Sequence, residues 1–346
     1  MLHFDKDLVT NARHKRTYGK WWGEVTNARA FADREEQRIL GVNQAAILPR
    51  DAWLEMDLRT KTLMRGDGGS TFMEDLLPLA KAVNIGKMVA IYRQSSDAGV
   101  VTRSLSGQVG TPTDKTVYKY DGTPVPIFSS SYHRNFREWE ALSSEGFDAL
   151  FDDQTNVLFN LRKDNAQYVL NGDTTQVVEG YVGYGIFTHP NSKSINIGAG
   201  GANINLTTAT SDAIIAFFNG PFAAALDANF ITDQVNIYVS ADVMRNLEKP
   251  LSSAEGFKGG SLREFLEGNS RINMIKRTFE ITGNNFFAFV PSERYIRPIV
   301  GMATSTVALP RHHPRANYVF DVWNAMGIQI LADYNNRSGV FYSTNV

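Results

Sequence analysis

The sequence predicts a mixed α+β fold, and three stretches carry that prediction. The first runs from Ser143 to Gly172, where Phe147, Leu150, Phe151, Val157, Leu158, Leu161, Tyr168 and Val169 recur at the spacing of one helix face. The second is Val235-Asn236-Ile237-Tyr238-Val239, a β-branched and aromatic run bounded by polar residues, which reads as a buried strand. The third is Gln94 to Gly122, polar and poor in apolar side chains, with strand-like ends that suit an extended hairpin.

The long helix has its own punctuation. Ser143 and Ser144 offer a cap oxygen to the first turn, with Glu145 beside the positive end of the dipole. Asn171-Gly172 closes it, because both residues tolerate the left-handed conformation of a helix end. A helix over 144–171 is roughly 42 Å long at 1.5 Å per residue, enough to cross most of a domain.

Composition bounds the rest. A chain of 346 residues, 43% apolar and 21% charged, has enough material for more than one core. A net charge of −1 implies no global attraction to nucleic acid or membrane. Cysteine is absent, which excludes disulfides and thiolate chemistry and fits a reducing compartment. No apolar run reaches the ~18 residues of a membrane helix, and the first residues lack an apolar signal core.

Residues 1–50 carry nine basic and six acidic side chains, a modest excess of +3, around Trp21-Trp22. Two large aromatics in a weakly periodic segment must bury somewhere, so this stretch is expected to be an arm on the body or on a neighbouring copy. A short helix is expected over 52–58, a turn at 66–70 and a strand over 87–93. Within the polar segment, 100–103 and 116–120 are expected to pair, and Asp121-Gly122 is a turn signal. Val125 to Tyr132 reads as a strand whose flanking prolines favour a sheet edge. Gly180, Gly183 and Gly185 mark a tight corner.

A helix is expected after a cap at Ser211 or Asp212, broken at Gly220-Pro221 and resumed over 222–226. The strand 235–239 then leads into a helix over 241–247, a loop over 251–260 and a helical turn over 262–266. Strands follow over 272–281, 286–290, 296–300, 304–309, 318–331 and 340–342.

Catalytic constellations are missing. His312-His313 are adjacent, which is not the spacing of paired metal ligands, and His3, His14, His133 and His189 have no companions in sequence. Gly198 to Asn203 is glycine-rich, but a dinucleotide cradle needs a helix opening directly after it, and Ile204-Asn205-Leu206 looks extended. Asp152-Asp153 diverge by roughly 100° on a helix, so they make a poor acid–base pair and read as a solvated face. No catalytic residue, cofactor or metal is assigned.

The order of these segments resembles the tailed-phage major capsid protein family of the Hong Kong 97-type fold, and the related encapsulin shells. The residues that carry the resemblance are the ribbon ending in Pro124-Val125-Pro126-Ile127-Phe128, the helix end Ala166 to Gly172, and the corner Gly180-Tyr181-Val182-Gly183-Tyr184-Gly185-Ile186-Phe187. It covers roughly 50–346. It implies an N-terminal arm over 1–50, P-domain segments over 51–89, 124–184 and 311–346, an E-loop hairpin over 90–123, a spine helix over 144–171 and an A domain over 185–310. Strands 87–92, 125–132 and 318–331 would lie on one side of the spine helix.

The resemblance also implies a non-enzymatic protein that self-assembles as hexamers and pentamers into an icosahedral virion shell around DNA, in a host bacterial cytoplasm. Separate scaffolding, portal and decoration proteins are possible partners. Trp21, Trp22, Lys115, Tyr118 and Lys119 are the expected intersubunit contacts; a lysine crosslink is not carried over, because no partner asparagine can be matched. The alternatives are an encapsulin-like compartment shell and, from another class, a soluble α/β nucleotide-binding enzyme using the loop near Gly200.

Overall fold

Every residue of Val235–Ser240 is buried, and the reason is the sheet it belongs to. In a computed structural model of the chain this strand is flanked by neighbours on both sides and covered on both faces. The structure describes residues 19–20, 23–28, 64–106, 108, 110, 113–144, 149–251 and 260–346. The chain divides into two compact units, Met1–Lys61 and Thr62–Val346. Of the first unit, residues 19–20 and 23–28 are described, and they are helical. Trp21, Trp22, most of the expected arm, the helix expected over 52–58 and most of the loop at 251–260 lie outside the described residues.

The second unit opens with α1 (Ser70–Leu76) and a 3-10 turn, followed by β1 (Lys81–Ala82), β2 (Val89–Ser95), β3 (Tyr118–Pro124) and β4 (Ile127–Arg134). Two helices, α2 (Phe136–Ser144) and α3 (Ala149–Asn171), lead to the hairpin β5 (Gly172–Val178) and β6 (Tyr181–Tyr184). Next come β7 (Lys193–Asn196), α4 (Ser211–Phe217), α5 (Ala223–Ala228), β8 (Val235–Ser240), α6 (Ala241–Leu247) and α7 (Leu262–Glu267). The strands β9 (Ile272–Thr278), β10 (Phe286–Phe289), β11 (Ile296–Ala308), β12 (Tyr318–Ile330) and β13 (Val340–Thr344) complete it.

The larger sheet has the order β7-β13-β10-β8-β9. Side chains alternate across β8, as strand geometry requires. Val235, Ile237 and Val239 face the helical layer, where Ile214, Phe217, Phe218, Val243, Leu247, Leu262 and Leu266 close one core. Tyr238 faces the other way and stacks on Phe287 and Phe289 at 5.0 and 5.2 Å, in a second core with Phe72, Val169, Leu170 and Ile328. Covering both faces explains why every position of β8 is buried, including Asn236, whose Oδ1 accepts from Asn273. Tyr238 places its hydroxyl at that core's margin, donating to Asp75 at 2.5 Å, and Lys276 neutralises the same carboxylate at 2.7 Å.

The smaller sheet has the order β1-β11-β12-β4, with β4 on an edge as its prolines predict. The segments expected over 296–300 and 304–309 are one strand, β11, whose pairing with β12 is interrupted by register shifts between Val300 and Ser305. Helix α3 packs on this sheet through Leu161, with Leu150, Val157 and Leu158 against Tyr132, Val322 and Phe320.

Several expectations are corrected. The spine helix expected over 144–171 is described over Ala149–Asn171, 23 residues or roughly 34 Å, and residues 145–148 lie outside the described residues. Ser143 and Ser144, expected as cap residues, are themselves helical within α2, where the Ser144 hydroxyl donates to Ala141 O at 2.6 Å. Phe151, expected on the apolar face, is exposed. Thr210, rather than Ser211 or Asp212, caps α4. Gly220-Pro221 does not break the helix: a π-turn over Phe218–Phe222 joins α4 to α5, and its wider spacing accommodates a residue without an N–H.

Sheet membership also departs from the expected grouping. Strand β11 lies before residue 310 yet pairs with β12 in the smaller sheet, while β13, beyond 311, pairs with β10 and β7 in the larger one. Strand β2, expected beside β4 and β12, pairs among the described residues with β3 alone. Segment 100–103 forms no strand; the hairpin is made by β2 and β3, and Asp121-Gly122 sits inside β3 opposite Tyr92 and Ile91.

Candidate assembly surfaces

The β2–β3 hairpin is fastened at its root by buried polar groups. Tyr92 donates its hydroxyl to Asp121 Oδ2 at 3.0 Å, across the strand pair. Asn191, buried in the loop before β7, donates from Nδ2 to Asp121 Oδ2, to the Tyr92 hydroxyl and to Ile330 O, each at 3.1 Å. Gln94 donates to the same Tyr92 hydroxyl. A second fastening lies one face away, where buried Gln329 donates to Ala90 O at 3.0 Å and accepts from Arg297 at 2.9 Å. These bonds tie the hairpin to both sheets, since Ile330 ends β12 and Asn191 precedes β7.

Burial shapes the protonation of this root. Tyr92 is pushed up to about 12, by burial first and by the charge of Asp121 second. Burial holds the His189 imidazole down at about 4 against the opposing pull of Asp121. His189 is therefore neutral near pH 7 and uses Nδ1 to accept from Asn191 N at 3.0 Å, which orients the loop that carries Asn191. Gly122 keeps β3 close to the corner: a Cβ there would lie 3.0 Å from the Tyr181 ring.

Beyond the root the hairpin is open. Ile91, Tyr118 and Tyr120 are half or more exposed, and Val101, in the connecting segment, is 85% exposed. Contiguous apolar exposure of this kind marks contact surface in soluble proteins. Tyr118 lies under the Arg93 guanidinium at 4.6 Å, while Lys119 reaches the ring of Tyr334 at 4.4 Å. Lys115 is exposed in the connecting segment and is brought to neither pair. Of the five residues expected at contacts, Tyr118 and Lys119 thus sit together on the hairpin, Lys115 stands apart, and Trp21 and Trp22 lie outside the described residues.

Sequence reasoning missed Asp121, Asn191 and Phe230. Asp121 was hidden by its turn-like dipeptide and Asn191 by the polar loop around it. Phe230 ends helix α5 in a Schellman arrangement, with its N–H bonded to Asp227 O and that of Ile231 to Leu226 O. This position normally takes glycine, because φ is positive; Phe230 has φ +55 and is 68% exposed. A left-handed conformation costs an L residue about 1–2 kcal/mol, so the aromatic is held outward at a cost.

The other candidate chemistries resolve into packing. Gly198 to Gly201 wraps the end of the chain: Gly200 N donates to Val346 O at 3.2 Å, and a Cβ on Gly201 would lie 2.2 Å from Asn196 O. The next helix in sequence opens only at Ser211, not directly after this loop. Asp153, read as solvated, instead takes the Arg134 guanidinium through two bonds of 2.5 and 2.9 Å. His312 and His313 are exposed, and among the described residues no three metal-ligating side chains cluster.

Comparison with known structures places this architecture. The capsid of Myoviridae Phage XM1 superposes with a TM-score of 0.64 at 12% identity, covering 87% of this chain and 99% of that one. A chain of Microbacterium phage Oxtober96 gives 0.60 at 12% identity over 88% and 98%. The capsid of a native GTA particle gives 0.58 at 12% identity over 87% and 98%. No curated protein sequence matches. The likeness shows a shared Hong Kong 97-type fold, as the segment order implied. With residues 43–343 matching its model, the chain belongs to the family described as a family of unknown function, DUF6260.

Proposed function

We propose that this chain is the major capsid protein of a tailed double-stranded DNA bacteriophage, a structural rather than catalytic protein that closes into an icosahedral shell. The observation that carries the reading is the β2–β3 hairpin: anchored by a buried polar root, it presents Ile91, Tyr118 and Tyr120 to solvent on a Hong Kong 97-type body. A two-stranded ribbon is marginal in water by itself and gains order when it lies on another molecule. In a shell, every copy supplies that surface to a neighbour.

In this reading the hairpin and its connecting segment form the E-loop, and Tyr118, Lys119 and Lys115 meet an adjacent subunit. Residues 1–50, with Trp21 and Trp22, form an arm that also ends on a neighbour. The larger sheet with its helical layer is the A domain, and the smaller sheet with α3 is the P domain. Copies gather as hexamers and pentamers, DNA is enclosed without sequence preference, and the protein resides in the virion after assembly in the bacterial cytoplasm.

Sedimentation velocity of the purified full chain tests the reading. The expected result is a fast, discrete assembled species whose share grows with protein concentration. A single slow species at every concentration contradicts it.

A further inference from the structure

A cleft of about 570 Å³ opens between the hairpin root and the larger sheet, lined by Arg93, Phe230, Arg294, Tyr295, Asp333 and Arg337 among others. Its three arginines are each laid on an aromatic ring. Arg337 covers Phe230 at 4.1 Å, Arg294 lies over Tyr295 at 5.6 Å, and Arg93 covers Tyr118 at 4.6 Å. Stacking holds a guanidinium flat and leaves its N–H edge for a carboxylate.

Two carboxylates, Asp233 and Asp333, line the cleft against three arginines. Arg337 approaches Asp333 at only 3.7 Å, and among the described residues Arg93 and Arg294 pair with no acid. The chain as a whole is nearly neutral, at −1, so the charge that balances this cleft stands elsewhere on the same chain. Glu140 on α2 and Asp152 in the first turn of α3 are such groups; among the described residues neither pairs with a cation.

We infer that Phe230 and the arginines around it form an anchor for a second copy of this chain, gripping an acidic and apolar surface of that copy. The strained backbone of Phe230 is the independent sign. Glycine would end α5 without strain, yet the position holds a large exposed aromatic braced by Arg337. Aromatic and arginine side chains in a desolvated pocket are the common anchors of protein interfaces. The inference rests on the shell reading and adds to it a contact that extends from the hairpin root to Phe230 and Arg294.

The test compares the parent chain with Phe230→Gly and Arg294→Glu, measuring the concentration at which half the protein sediments as assemblies. Thermal melting of the unassembled material is followed in parallel. Phe230→Gly removes the aromatic and the strain together, so the fold is expected to melt near the parent's midpoint while the assembly threshold rises at least about tenfold. Arg294→Glu, on an exposed side chain, is expected to raise the threshold similarly. A folded Phe230→Gly chain that assembles at the parent's concentration overturns the inference; should that variant fail to fold, Arg294→Glu decides in the same way. Failure of the parent itself to assemble overturns the shell reading instead.

Discussion

Asn191 and Asp121 are separated by 70 positions, yet the Asn191 amide donates to the Asp121 carboxylate at 3.1 Å beneath the hairpin. The same amide reaches Ile330 O, so one side chain joins the loop before β7, strand β3 and the end of β12. Whatever the hairpin touches, its direction is set at this junction.

Replacing Asp121 with alanine tests that role. Tyr92 and Asn191 would lose their shared charged acceptor, at a cost of about 1.5–3 kcal/mol, while Asn191 keeps Ile330 O. Hydrogen exchange is expected to rise across Val89–Ser95 and Tyr118–Pro124 while β8 and β10 keep their protection. Uniform loss across the larger sheet would contradict a local root.

His189 gives the protein a pH dependence. Its folded pKa, about 4, lies below its ordinary 6.5, so between these values the unfolded chain binds more protons. Stability from this group is complete above pH 6.5 and falls as pH drops towards 4, by about 3 kcal/mol in total. Urea unfolding midpoints at pH 7 and pH 4.5, for the parent and for His189→Gln, measure it. The substitution is expected to flatten the slope in that window.

Two glycines with similar dihedrals are predicted to respond differently. Gly172 has φ +69, and a Cβ would stand 2.4 Å from both Gly183 O and Gly185 N. Gly180 has φ +85 with nothing within 4 Å. Gly180→Ala is expected to cost about 1–2 kcal/mol, from backbone conformation alone. Gly172→Ala adds a clash with backbone that cannot rotate away, and is expected to cost more than about 3 kcal/mol. Chemical denaturation of both variants separates the effects.

What was legible in the sequence was what local rules govern. Strand β8 announced itself because both faces are buried, and the helix expected over 241–247 is α6, with Ser240 as a cap that the structure adds. The closure of α3 at Gly172 was legible because only a left-handed residue fits there. The helical setting of Ser143 and Ser144 was not, since a serine pair that can cap a helix can equally sit inside one. Asp121-Gly122 misled for a related reason: the dipeptide favours turns, but its carboxylate has partners supplied from Asn191 and Tyr92. Strand partners were beyond reach wherever they depended on distant segments. Nothing near β13 says that it crosses to lie between β7 and β10. Phe230 gave no signal at all, because helix ends are recognised by the glycine that it replaces.

Electron microscopy of the purified chain shows whether its copies close into a shell. Closed, hollow, near-isometric particles, or rings of five and six copies, are the predicted images. Single separate molecules at every concentration, with the hairpin protected from exchange as strongly as β8, would contradict the account.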